Sequence, residues 1–120
     1  MNTLIAGLII FISILHLYFM WLEMFAWTTS GKKIFKMGDD AFYEKTKPMA
    51  ANQGLYNGFL AIGLLWSLFL TSPQCQNEFT IFFLGCILIA GLYGAYSVSK
   101  KIFIIQGLPA LVAIVLKCFY

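Results

Sequence analysis

The chain has 120 residues, of which 61% are hydrophobic and 11% charged, and its formal net charge is +3. Its mean hydropathy of +0.84 is too high for a soluble sphere of this size, because such a sphere has too little interior to hide so much apolar surface. All basic residues are lysines, and the lack of arginine argues against bidentate phosphate recognition and so against nucleic acid as a partner. The composition predicts one integral membrane domain, residues 1–120, with the lipid bilayer as solvent.

The apolar residues fall into four segments long enough to cross a bilayer. The predicted transmembrane helices cover residues 3–28, 49–70, 79–98 and 102–120. Between the first two lies a polar stretch, Ser30 to Lys47, which we predict as an interfacial loop with a short amphipathic helix, Asp39 to Lys45, capped by Asp39. Pro48 is predicted in the first turn of the second helix, where its missing N–H is harmless. Short later connections favour an all-α, antiparallel four-helix bundle.

Lysine distribution predicts the orientation of these helices. The first and third connections hold seven lysines: Lys32, Lys33, Lys36, Lys45, Lys47, Lys100 and Lys101. Because lysines concentrate on the cytoplasmic side, we predict a long first cytoplasmic loop and both termini outside. Trp27 and Tyr43 are among the aromatic residues placed for a belt at the membrane interface.

The first predicted helix carries two titratable residues, His16 and Glu23, where charge is costly. They are seven residues apart, so they project from nearly the same helix face, about 10.5 Å apart along the axis. We therefore predict that both line one cavity, with Glu23 as catalytic acid or base and His16 as its relay partner. Two alternatives without chemistry stay open: a structural pair, or a Glu23 that extends to the interface.

Other polar side chains fall at a similar depth in the remaining helices. Glu23 lies about 7 Å inside the first helix, and amides of the second and fourth helices lie about 6 to 14 Å inside theirs. The predicted ligand-binding residues are Asn52, Gln53, Tyr56, Asn57, Tyr93 and Gln106. Pro109 strengthens the pattern because it frees the carbonyl of Ile105, and irregular backbone inside membranes lines cavities. The amides could instead only hydrogen-bond neighbouring helices, and that alternative stays open.

Small residues recur at four-residue spacing in the second and third predicted helices. They are Ala50, Gly54 and Gly58, then Ala90 with Gly94, and Gly91 with Ala95. Such spacing lets helices approach closely, which favours either a compact bundle or a homo-oligomer joined through the glycines.

Metal binding is not predicted, because His16 and Glu23 alone supply too few ligands. The three cysteines form no CxxC pair, and the sequence leaves any cofactor unknown.

The local sequence patterns resemble a known family. The patterns are HLYFMWLEMFAW (His16 to Trp27), ANQGLYNGFLAIGLLW (Ala51 to Trp66), AGLYGA (Ala90 to Ala95) and QGLPA (Gln106 to Ala110). They resemble the small four-span bacterial membrane proteins of domain-of-unknown-function family 1304. The resemblance implies a four-helix fold and a multi-pass location in the bacterial inner membrane, and it implies no established activity.

Two looser likenesses concern architecture alone. The chain is similar to the membrane-associated eicosanoid and glutathione metabolism proteins in its four spans and long first cytoplasmic connection. Those proteins hold glutathione with arginines, which this chain lacks. It is also similar in size to the small multidrug resistance transporters, which carry one glutamate in the first of four helices.

Three functions are consistent with these observations. The first is a pocket that binds or acts on a small lipophilic molecule entering from the inner leaflet. The second is proton-coupled transport of a cation at Glu23, among the aromatic residues Trp21, Tyr56 and Trp66. The third is an accessory subunit whose glycines dock a larger membrane partner. We favour the pocket, because several helices contribute polar groups at one depth.

Overall fold

The computed structural model describes residues 1–120, and all its regular elements are helical, as predicted. The α-helices are α1 (Thr3–Phe25), α2 (Lys32–Phe35), α3 (Asp40–Ser67), α4 (Pro73–Ser97), α5 (Lys100–Ile102) and α6 (Leu108–Phe119). Two π-helical turns, Trp27–Gly31 and Phe103–Gly107, directly precede α2 and α6.

Three helical segments are long and apolar enough to cross a bilayer: Thr3–Phe25, Pro73–Ser97 and Lys100–Phe119. The second predicted span belongs to α3, which has 28 residues but is not among these three. Charged residues occupy its first turns, and the side chains of Asn52, Gln53 and Asn57 reduce the hydropathy of the remainder. The length of α3 is therefore sufficient to cross a bilayer, and its polarity distinguishes it from the other three segments.

The start of α3 differs from the prediction. The Asp39 Oδ1 atom accepts a hydrogen bond from the backbone N–H of Phe42 at 2.9 Å, which confirms the predicted cap. The helix then continues through Pro48, so the prediction that Pro48 lies in the first turn of the second helix was wrong. The proline is exposed there and removes only the hydrogen bond to the Glu44 carbonyl, which is at the surface and can be solvated. The predicted amphipathic helix and second span are thus one helix.

The connection between α3 and α4 is shorter than predicted, because α4 begins at Pro73 rather than near residue 79. Ser72 caps the helix by accepting a hydrogen bond from the Cys75 N–H at 3.4 Å, and Pro73 fits the first turn. The Gln76 side chain donates to the Ser67 carbonyl at 3.1 Å. The connection is therefore closed by hydrogen bonds between the end of α3 and the first turn of α4.

The chain forms two compact units. The terminal unit comprises Met1–Ser13 and Ile62–Tyr120, and the central unit comprises Ile14–Ala61.

In the terminal unit, α4 packs along residues 100–119 through small residues. A Cβ atom placed on Gly91 would lie 2.7 Å from the Cα and N atoms of Gly107, so two backbones touch at this point. Gly107 ends the π-helical turn Phe103–Gly107, whose last bond runs from the Leu108 N–H to the Phe103 carbonyl. The irregular backbone predicted next to Pro109 is therefore confirmed, and Gly91 and Gly94 of α4 make contacts within the chain.

In the central unit, the polar stretch after α1 folds around a buried aromatic cluster. The cluster consists of Trp27, Tyr43 and Ala50, with Phe35 and Phe42 packed against it. The Trp27 indole N–H donates to the Thr46 hydroxyl at 3.0 Å, and the Tyr43 hydroxyl accepts from the Met37 N–H at 2.9 Å. Trp27 and Tyr43, which we predicted for an interfacial belt, are buried instead because the connection has a small core of its own.

We expect the contact between Gly91 and Gly107 to be sensitive to a single methyl group. Gly91→Ala would place Cβ against backbone atoms that cannot move aside, at a cost of about 1–3 kcal/mol of unfolding free energy. Gly85, in the same helix, has nothing within 4 Å of the position that a Cβ atom would take, so Gly85→Ala should be neutral or should stabilise by up to about 1 kcal/mol. The unfolding free energies of both variants are measured in mixed micelles. Equal stability of the two variants would contradict the contact.

Candidate functional site

The candidate site lies where α1 and α3 approach closely in the central unit. A Cβ atom on Gly54 would lie 2.8 Å from Met24 Cγ and 3.1 Å from the Met20 carbonyl oxygen. A Cβ atom on Gly58 would lie 2.7 Å from the Met20 sulfur. These glycines therefore let the backbone of α3 approach α1, as the small-residue spacing predicted. The neighbouring residue Asn57 is thereby held against α1.

The central contact of the site is a hydrogen bond between Glu23 of α1 and Asn57 of α3. Asn57 Nδ2 donates to Glu23 Oε1 at 2.7 Å, and the exposed fractions of Glu23 and Asn57 are 4% and 8%. The side-chain amide of Gln53, one helical turn earlier in α3, lies near this carboxyl group. Gln53 itself is exposed. One amide therefore holds the carboxyl group from inside the unit, and a second approaches it from the surface.

His16 is also buried in the central unit, with 1% of its surface exposed. Its ring packs edge-on against Phe19, with a centroid distance of 5.7 Å and an interplanar angle of 76°. Both titratable residues of α1 are thus inside this unit. The pairing of His16 with Glu23 stays a prediction, and Asn57 of α3 is the hydrogen-bond partner that the structure gives to the carboxyl group.

The remaining predicted ligand-binding residues are closer to the surface. On α3, Asn52 and Tyr56 are exposed, on a face adjacent to that of Gln53 and Asn57. Tyr93 is exposed on α4, and Gln106 is half-buried in the second π-helical turn, both in the terminal unit. The structure therefore brings together Glu23, Gln53 and Asn57. The participation of the others stays a prediction.

Sequence reasoning missed the methionines Met20 and Met24, which contact the glycines of α3. Because α1 is apolar around almost its whole circumference, periodicity could not indicate which side faces α3. Position relative to Glu23 was the one available signal, since Met20 lies three residues before it and therefore near the same helix face, and Met24 lies four residues after Met20.

The site presents both donors and acceptors in apolar surroundings. A carboxyl group offers two oxygen atoms, and each amide offers an N–H₂ donor and a carbonyl acceptor. Asn57 engages Oε1 of Glu23, and Gln53 is exposed. The amide of Gln53 is therefore the polar group of the site that reaches the surface. This arrangement can hydrogen-bond a polar group on a molecule that approaches the outer face of α3.

Comparison with known proteins places the chain in a family. The family model described as "Protein of unknown function (DUF1304)" matches residues 10–118. The chain belongs to the DUF1304 family. The resemblance indicated by the local sequence patterns is thereby confirmed, and the matched range of this DUF1304 protein includes Glu23, Gln53 and Asn57.

A curated bacterial protein is similar along its whole length. The protein described as "Uncharacterized protein YpaA", from Lactococcus lactis subsp. lactis (strain IL1403), is 32% identical over 123 residues, which is 99% of this chain and 100% of that protein. No solved structure matches the chain. Any function of this DUF1304 protein must therefore be argued from the site itself.

Loss of the Asn57 amide should destabilise the protein. Asn57→Leu fills similar space but removes the donor to Glu23 Oε1, so a buried carboxyl group loses its partner at a cost of about 1–3 kcal/mol. A matched control is Gln74→Leu, which removes a donor to the exposed Glu78 at 3.0 Å and should change stability by less than about 0.5 kcal/mol. Both unfolding free energies are measured in the same detergent. A neutral Asn57→Leu variant would contradict a structural role for this hydrogen bond.

Proposed function

We propose that this DUF1304 protein is a four-span protein of the bacterial inner membrane with both termini outside. Three helical segments have the length and apolar composition of membrane spans, and α3 has sufficient length to be the fourth. Lysines cluster between α1 and the first turns of α3 and again at the start of α5, whereas the connection between α3 and α4 has none. This asymmetry supports a cytoplasmic location for the first and third connections.

We further propose that the protein binds a small lipophilic molecule at Glu23, Gln53 and Asn57. The observation that carries this proposal is the buried hydrogen bond between the Glu23 carboxyl group and Asn57. Acidic groups inside membrane helices are costly and mark functional sites. The glycines and methionines around this bond bring the two helices close enough to shield it from lipid.

The exposed amide of Gln53 supports a ligand that arrives from the lipid phase. It lies on the surface of α3 near the same carboxyl group. A polar group on a lipophilic molecule could replace the Gln53 amide at the carboxyl oxygen and be hydrogen-bonded by that amide in turn. The class of ligand is therefore a small, mostly apolar molecule with one hydrogen-bonding group. The proposal also has a catalytic form. In it, Glu23 transfers a proton to or from the bound molecule, and His16 acts as relay.

Binding is favoured over cation transport by the placement of the aromatic residues. The transport hypothesis needs aromatic faces turned towards a cation next to Glu23. Trp21, Tyr56 and Trp66 are all exposed. Their exposure gives no support for an enclosed cation site.

The ligand can be sought by mass spectrometry of the purified protein. The full chain is expressed in bacteria, purified in a mild detergent and extracted with organic solvent, and the extract is compared with that of Glu23→Gln. This substitution keeps the size of the side chain and removes its acid group, so we expect the co-purified lipophile to fall at least about tenfold, which corresponds to 1.4 kcal/mol of binding free energy. The matched control is Glu78→Gln, which alters an exposed carboxyl group that is also bonded by an amide.

Two outcomes would contradict the proposal. One is a purified protein that carries no enriched lipophile relative to an unrelated membrane protein prepared in the same way. The other is an identical extract from Glu23→Gln and from the unsubstituted chain.

A further inference from the structure

An open groove on α4 in the terminal unit is lined by three aromatic rings and one acid. The side chains of Glu78, Phe79, Phe82 and Phe83 surround a volume of about 380 Å³, which is within the range of small-molecule sites. The Phe83 ring fills the space left by the missing side chain of Gly63 in α3, so its position is fixed by packing. We call these four lining residues the α4 groove.

Aromatic rings continue the α4 groove onto α3. The Trp66 ring packs edge-on against Phe79, with a centroid distance of 5.4 Å and an interplanar angle of 74°. Phe82 and Phe83 are also nearly perpendicular, with centroids 5.4 Å apart and an angle of 86°. Phe82 is 64% exposed and Trp66 55% exposed. Both rings therefore present surface to a molecule that enters the groove.

The Glu78 carboxyl group of the α4 groove has no positive partner within the chain. Its side chain is exposed, and its Oε1 atom accepts a hydrogen bond from Gln74 Nε2 at 3.0 Å. The ion pair of the structure joins Lys32 and Asp40, in the central unit. Glu78 is also the one acidic residue of the terminal unit. Its negative charge is therefore met by an amide alone.

The combination of an acid and aromatic rings distinguishes the α4 groove from the other exposed apolar faces. On α1, Tyr18 and Trp21 are exposed, but the acid of that helix, Glu23, is buried and bonded to Asn57. The remaining acids lie in the polar connection and the first turns of α3: Asp39, Asp40 and Glu44. Lipid acyl chains can cover an apolar face, but they do not balance a carboxylate. The groove therefore favours an occupant that has a positive charge as well as apolar surface.

A lipophilic organic cation has both properties. The face of an aromatic ring attracts a cation within about 6 Å of its centre, and a carboxylate adds a full countercharge. Glu78 lies about 7.5 Å along α4 from the first residue of the helix, and Phe82 lies about 6 Å further along. Because α4 has the length and composition of a membrane span, the charge of the bound molecule would be near the membrane surface and its apolar part deeper.

We infer that the α4 groove binds a lipophilic organic cation, of the quaternary ammonium or phosphonium class, with Glu78 as its counter-ion and Phe79 and Phe82 as its aromatic contacts. The direction of the bound molecule rests on the membrane placement of α4, whereas the groove and its charge do not. The groove shares no residue with the site at Glu23.

Two probes of similar shape and opposite charge test the inference. Tetraphenylphosphonium is a lipophilic cation, and tetraphenylborate is its anionic counterpart. The full chain is placed in nanodiscs of phosphatidylcholine, and binding of each probe is measured by equilibrium dialysis after subtraction of the binding to empty discs. The unsubstituted chain should bind the phosphonium with saturation and should not bind the borate.

Single substitutions locate the bound cation. Glu78→Gln keeps the size of the side chain and removes its charge, so the affinity for the phosphonium should fall roughly 3- to 5-fold, whereas Glu78→Asp should stay within about twofold. Phe82→Leu removes one ring and should lower the affinity roughly 2- to 5-fold. Matched controls are Glu44→Gln and Phe25→Leu, an exposed acid and an exposed ring of the central unit, which should leave the affinity unchanged.

The inference is overturned by equal binding of the two probes, by an absence of saturable phosphonium binding, or by a Glu78→Gln variant of unchanged affinity. Failure of the ligand proposal at Glu23 is distinguishable from these outcomes. Glu23→Gln should lose the co-purified lipophile and bind the phosphonium normally, whereas Glu78→Gln should retain the lipophile and bind the phosphonium weakly.

Discussion

The need of the Glu23 carboxyl group for a partner inside an apolar helix constrains the central unit more than any other feature. Asn57 meets this need from α3 at 2.7 Å, and both residues are buried. Such a bond requires the two helices to be close. Gly54 and Gly58 allow this approach because they have no side chains, which would clash with Met20 and Met24. The buried acid is thus costly without a partner, the neighbouring amide supplies that partner, and two glycines allow the helices to approach closely enough for the bond to form.

The terminal unit also contains a close contact between backbones at glycine residues. Gly91 of α4 meets the backbone at Gly107, where Pro109 and a π-helical turn interrupt the regular hydrogen bonding of the last helical segment. Polar atoms freed by such an interruption are tolerable only where neighbouring groups or a cavity surround them. Gly91 of α4 lies against the backbone of this turn at Gly107. Small residues thus permit an acid in one unit and an irregular backbone in the other.

Periodicity and composition predicted the all-helical chain, the resemblance of local sequence patterns indicated the family, and single residues indicated the cap at Asp39 and the irregular backbone near Pro109. They also identified Glu23 and Asn57 as polar residues at one depth, because depth follows from residue number along a helix. What they did not predict depends on contacts between distant residues. Pro48 was expected to begin a helix because proline is common in the first turn, whereas the contact of Trp27 with Tyr43, which holds the preceding turns of α3, joins residues far apart in the chain. The hydrogen bond from Asn57 of α3 to Glu23 also joins distant residues, and the pairing of Glu23 with His16 on the same helix stays a prediction.

The coupling between Glu23 and Asn57 is the most direct measure of whether this contact organises the site. A double-mutant cycle compares the unfolding free energies of the unsubstituted chain, Glu23→Ala, Asn57→Ala and the double variant in one detergent. A hydrogen bond between the two side chains predicts a coupling energy of at least about 0.5 kcal/mol, with the double variant less destabilised than the sum of the single ones. Additive effects, within about 0.3 kcal/mol, would show that the two residues do not interact and would contradict the account of the site.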